Sequence, residues 1–90
     1  MKIVYRIHAI QRMFERDVST EDMRSVLEQG RTIEEYEDTH YAARLVLGRR
    51  GKRPLHVVAA DNTADDEAIV VTVYEPTSAQ WQAGFEQRKP

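Results

Sequence analysis

Pro54-Leu55-His56-Val57-Val58-Ala59-Ala60-Asp61 is the stretch on which the fold turns. Turn formers bound it on both sides, Gly51 before it and Asp61-Asn62-Thr63-Ala64-Asp65-Asp66 after it, so it reads as a strand. Two similar runs flank it. Residues 41–49 (Tyr-Ala-Ala-Arg-Leu-Val-Leu-Gly-Arg) precede the turn at 50–53, and residues 68–75 (Ala-Ile-Val-Val-Thr-Val-Tyr-Glu) follow the acidic turn. Connections this short join antiparallel neighbours. Residues 31–37 add an acidic strand, giving a sheet of three to four antiparallel strands.

Upstream the period changes. Residues 2–7 read as a short strand leading into a helix over 8–16, on which Ile10, Met13 and Phe14 share one face and His8, Arg12 and Arg16 form a polar stripe opposite. A second helix is predicted over 20–29. Ser19 is its N-cap, Asp22 stands at the capping-box position, Val18 and Met23 have the spacing of a hydrophobic staple, and Gly30 ends it. After Pro76, Thr77 or Ser78 caps an expected C-terminal helix anchored by Trp81 and Phe85 at i, i+4. The expected fold is α+β: two N-terminal helices packed on the antiparallel sheet, with a C-terminal helix, in one domain over residues 1–90.

Composition narrows the function classes. Ninety residues at 41% apolar content suit one small core. The absence of cysteine excludes disulfides and thiolate metal sites. No apolar run spans a bilayer and no signal peptide is read, so a cytoplasmic protein is expected. Net charge is −2, which argues against a globally basic nucleic-acid binder, but the charge is segregated. Residues 39–60 carry Arg44, Arg49, Arg50, Lys52 and Arg53 and no acid, between acidic stretches at 34–38 and 61–75. His8, His40 and His56 lack ligand-type spacing, and residues 61–66 lack the glycine and glutamate of a calcium loop, so neither a metal nor a cofactor is expected.

Strand alternation divides the side chains into two sets. Leu45, Leu47, Leu55, Val57, Ala59, Ile69, Val71 and Val73 form an all-apolar set expected to face the helices. Arg44, His56, Thr72 and Tyr74 fall in the other set and are expected to neighbour one another on the opposite face. Arginine, histidine and tyrosine together suit phosphodiester chemistry. Arginine pairs bidentately with phosphate, histidine moves a proton near neutral pH, and tyrosine donates a hydrogen bond or stacks on a base. The same residues also suit an ordinary amphipathic sheet surface.

Three motifs carry a resemblance. His8-Ala9-Ile10-Gln11-Arg12-Met13-Phe14-Glu15-Arg16-Asp17-Val18-Ser19 resembles the "HAxxRMxERGIS" opening of the family called domain of unknown function 4258. Arg53-Pro54-Leu55-His56-Val57-Val58 and Ile69-Val70-Val71-Thr72-Val73-Tyr74-Glu75-Pro76 resemble its "RPLHVV" and "ITVYEP" segments. Asp17 stands where that family has glycine. The family is similar to the RelE and MqsR toxins, small ribonucleases that act on messenger RNA and are blocked by an antitoxin. The resemblance implies a RelE-like toxin domain, with a zinc-finger antitoxin of the MqsA type as partner.

On this reading His56 is the general acid or base, Arg12 and Arg44 hold phosphate, Tyr74 donates or stacks, and His8 is an alternative proton carrier. Arg16, Arg49, Arg50, Lys52 and Arg53 bind RNA. The alternative is a non-catalytic protein-binding module in which the motif residues are structural.

Overall fold

A computed structural model describes residues 1–37 and 42–90. Tyr41, where the sequence reading begins its second strand, and His40 lie outside the described residues. The elements run β1 (Lys2–Tyr5), α1 (Ile7–Arg16), α2 (Thr20–Gln29), β2 (Arg31–Tyr36), β3 (Ala43–Arg50), β4 (Arg53–Asn62) and β5 (Glu67–Tyr74).

The two N-terminal helices form where they are expected. The Ser19 hydroxyl accepts from the Asp22 amide at 3.0 Å, and the Asp22 carboxylate accepts from the Ser19 amide at 2.9 Å, completing the capping box. Val18 and Met23 are buried as the staple requires. Asp17 closes α1 in the left-handed region at φ 55°, a conformation the glycine of the family motif adopts without strain. Gly30 ends α2 differently from expectation. Its backbone is extended, and glycine is required by close approach: an added Cβ would lie 2.3 Å from the Val26 carbonyl oxygen.

The sheet departs from expectation. It has five strands in the order β1-β5-β4-β3-β2 and is mixed, because β1 runs parallel to β5. Parallel pairing leaves no local turn signal, so a four-residue strand whose partners lie 65 positions downstream carries no mark of its place. No C-terminal helix forms. Residues 77–81 make one turn, closed by the Trp81 amide on the Thr77 carbonyl at 3.0 Å. Left-handed Gly84 (φ 87°) and Phe85 (φ 60°) then reverse the chain. The chain is α+β in the general sense only. Among the described residues, no helix is long and apolar enough to cross a membrane.

The β3–β4 register overturns the expected parity. The connection is two residues, Gly51-Lys52, with Arg50 opposite Arg53 and Gly51 at φ 60°. Paired residues therefore sum to 103, so Arg44 lies opposite Ala59 and Leu47 opposite His56. Arg44, Val46, Gly48 and Arg50 consequently share the helix side with Leu55, Val57 and Ala59. Leu45 and Leu47 share the other side with His56 and Val58. An irregularity between Val58 and Ala59 shifts β5 by one residue, leaving Val71 half-buried and placing Val70 and Ala68 in the core.

α1 packs along β5, and α2 lies over β3 and β4. The helix-side core comprises Ala9, Met13, Val18, Met23, Val26, Leu27, Val46, Leu55, Val57, Ala59, Ala68, Val70 and Val73. The expected α1 face is mostly turned out. Met13 is buried, but Ile10 and Phe14 are exposed, and Ala9 takes their place against the sheet. Leu45 and Leu47 are buried too, on the far face that the C-terminal segment crosses at His56.

Candidate functional site

The far face of the sheet carries His56 on β4, Tyr74 on β5, and Glu34 and Tyr36 on β2. Residues 77–89 fold over it as a strap. Trp81, 2% exposed, meets the His56 ring edge-on, with centroids 4.4 Å apart at 85°. His56 has no exposed surface. Its Nε2 lies 2.9 Å from the Phe85 carbonyl oxygen, which can only accept, so Nε2 carries the proton. Nδ1 is left as the acceptor for the Tyr74 hydroxyl at 3.2 Å. Burial pushes the His56 pKa below its ordinary value, only partly offset by the Phe85 hydrogen bond and the charge of Glu34. The imidazole is neutral with both nitrogens occupied. Burial also raises Tyr74, which stays a neutral donor.

Glu34 is the second reactive group. Arg88 of the strap grips it with two hydrogen bonds, 2.9 and 3.2 Å, and the Tyr36 hydroxyl donates to the same carboxylate. The Arg88 bonds, then that of Tyr36, hold Glu34 below its usual range. The guanidinium also lies 4.6 Å from the centre of the Trp81 ring. A second ion pair, Arg31 to Glu86 at 3.0 Å, ties β2 to the strap. Beside it a cleft of about 560 Å³ opens between the end of α2, β3 and the strap, with Arg31 and Arg49 among its lining residues.

Of the residues expected to form the site, His56 and Tyr74 come together and Arg44 does not. Arg44 sits on the opposite side of the sheet, paired to Asp61 at 2.9 Å. Its expected place beside His56 assumed an even register, and the two-residue turn makes the register odd. His8, Arg12 and Arg16 are exposed on α1, and Arg12 bonds Glu15.

The basic hairpin splits in two. Arg50 fastens the helix–helix turn, donating to the Asp17 carbonyl at 2.8 Å and pairing with Asp22 at 3.0 Å. Arg53 donates to the Arg16 carbonyl at 2.7 Å and pairs with Glu75 at 3.6 Å. Arg49 and Lys52 are exposed and make no ion pair among the described residues.

Sequence reasoning missed Glu34, Tyr36, Arg31, Trp81 and Arg88 as site residues. The alternation of Glu34 and Tyr36 in an acidic strand was an available signal. Arg88 carried none, since only the tertiary path of the strap brings it to β2.

A family model described as Domain of unknown function (DUF4258) matches residues 5–75. The chain belongs to that family. Comparison with curated proteins and with solved structures found no match. The DUF4258 region ends one residue beyond β5, so His56, Tyr74, Glu34 and Tyr36 lie within it and the strap lies outside it.

Proposed function

We propose that this chain is the toxin component of a toxin–antitoxin pair of the RelE and MqsR type, a cytoplasmic, metal-independent ribonuclease acting on messenger RNA. The observation that carries the reading is the His56–Tyr74 pair, held at 3.2 Å on a sheet face that also presents Glu34. Cleavage at a 2′-hydroxyl needs a base, an acid and a cation. The base takes the 2′-hydroxyl proton, the 2′ oxygen bonds to phosphorus, the bond from phosphorus to the 5′ oxygen breaks, and the acid protonates that leaving oxygen. Glu34 and His56 are suited to the two proton transfers, Tyr74 to hydrogen bonding at the phosphate, and Arg31 and Arg49 to its charge. These two arginines replace Arg44 in the role that the sequence alone suggested for it. The partner, on the resemblance, is a zinc-finger antitoxin of the MqsA type.

Expression in bacteria should slow growth, and His56→Gln should relieve the effect while leaving the protein folded by circular dichroism. Equal growth of both strains, with RNA left intact across pH 6–8 in chelator by the purified chain even when residues 77–89 are displaced from the sheet, would end the ribonuclease reading.

A second reading, a non-catalytic binding module, is favoured by one observation. Ile7, Ile10 and Phe14 form an exposed apolar stripe along α1, with Phe14 89% exposed. On that reading the buried, fully bonded His56 is a structural residue.

A further inference from the structure

We infer that residues 77–89 are a detachable lid, which closes the His56–Tyr74–Glu34 face and must lift before that face can meet a substrate. The inference rests on the proposed reading of the face as a reactive site, and adds how the site is regulated.

Three independent features separate the lid from the domain beneath it. The family match stops at residue 75, so the lid lies outside the matched part of the chain. The lid is also folded on itself. Gln82 donates to the Gln87 carbonyl at 2.8 Å, Lys89 donates to the Gln80 carbonyl at 2.9 Å, and Trp81 bridges to Arg88. Its contacts with the sheet are made differently: Trp81 packs on His56, Arg88 and Glu86 form ion pairs, and a single carbonyl, that of Phe85, receives the imidazole. No ladder of backbone bonds joins lid to sheet among the described residues. Finally, the carbonyl that receives His56 belongs to a residue at φ 60°, a left-handed conformation unfavourable for a bulky side chain.

The closed lid silences each group chemically. It occupies both partners of the acid–base pair, taking the His56 Nε2 proton into a hydrogen bond and covering Glu34 with Arg88. Lifting it returns His56 to water and frees the Glu34 carboxylate from its guanidinium. Arg31, released from Glu86, then stands with Arg49 at the edge of the opened face. The trigger is whatever binds the open form better than the closed one, RNA itself being the first candidate by charge.

Trp81 is the chain's one tryptophan, so its fluorescence reports the lid directly. The experiment follows Trp81 emission, acrylamide quenching and far-ultraviolet circular dichroism through a urea titration of the full chain and of Arg88→Gln, with RNA cleavage assayed in parallel. The expected result is that Trp81 becomes quenchable before the sheet signal is lost, and at lower urea in the variant, with cleavage increased about tenfold in Arg88→Gln without denaturant. Glu86→Gln, which cuts a different tie, should shift the same transition in the same direction. Coincident loss of Trp81 burial and sheet signal in all three proteins would make residues 77–89 part of the core and overturn the lid. Early release of Trp81 with RNA left intact by the opened variants would keep the lid and overturn the ribonuclease reading. Equal cleavage by the wild type and both variants would keep the ribonuclease and overturn the lid as its control.

Discussion

His56 donates its Nε2 proton to the carbonyl oxygen of Phe85 across 2.9 Å, binding a histidine of the central strand to a residue outside the family match. The bond fixes the tautomer, and with it which nitrogen receives the Tyr74 hydroxyl. It also makes the neutral imidazole part of the folded structure, which has a consequence for stability.

Burial holds the folded-state pKa of His56 below its ordinary 6.5, so between the two values the unfolded chain binds more protons than the folded one. The contribution is therefore fully present above 6.5 and is lost as pH falls from 6.5 through the depressed folded value. Thermal midpoints should drop on acidification through this window, and the drop should be smaller in His56→Asn. Parallel curves for the two proteins would show that His56 is not held neutral.

The four residues of the basic hairpin should not behave alike. Arg49→Ala with Lys52→Ala should leave stability within about 0.5 kcal/mol and reduce the salt dependence of single-stranded RNA binding by about 1.4 in log–log slope. Arg50→Ala, which removes the clamp on the Asp17 carbonyl and the pair to Asp22, should instead lower the unfolding midpoint. Uniform effects of the substitutions on RNA binding would mean that Arg50 is as available to phosphate as its neighbours.

Both faces of β3 should be sensitive to volume. Leu45 is fully buried on the lid side, and Leu45→Ala should cost about 2–5 kcal/mol in denaturant unfolding. On the helix side, an added Cβ at Gly48 would lie 2.7–2.9 Å from the side chain of Val26. Gly48→Ala should cost about 1–3 kcal/mol by forcing α2 away from the sheet. A neutral Leu45→Ala would show that the lid does not seal this face.

The α1 stripe makes the opposite prediction. Phe14→Ser should change stability by less than about 0.5 kcal/mol, because so little of the ring is buried. If α1 docks a partner, Phe14→Ser should abolish co-purification of that partner while cleavage of RNA is unchanged. A large loss of stability would contradict the exposed placement.

What was legible in the sequence was local. Ser19 and Asp22 capped α2 as their spacing required, Asp17 closed α1, and residues 63–66 turned between β4 and β5. Parity failed at two steps, the β3–β4 register and the irregularity between Val58 and Ala59. Strand alternation puts Arg44 on the face of His56 because both turns tolerate that register, and the two-residue turn Gly51-Lys52 decides otherwise. The apolar set mixed the two faces: Leu45 and Leu47 lie away from the helices and Ile69 and Val71 are half-buried, because a strand buried on both faces, as Leu45 and Val46 show, no longer alternates. The i, i+4 spacing of Trp81 and Phe85 suggested a helix, yet the two residues serve the sheet instead, one by its ring and the other by its carbonyl. His56 and Tyr74 were found because they are direct neighbours across adjacent strands. Glu34 and Arg88, 54 residues apart, meet only through the path of the chain.

The most direct test of the central claim is the chemistry of the RNA ends left by the Arg88→Gln chain in the presence of chelator near neutral pH. The account predicts fragments with 2′,3′-cyclic phosphate and 5′-hydroxyl termini, produced by that protein and abolished when His56→Gln is added to it. RNA that remains intact, or cleavage that survives the loss of His56, would contradict it.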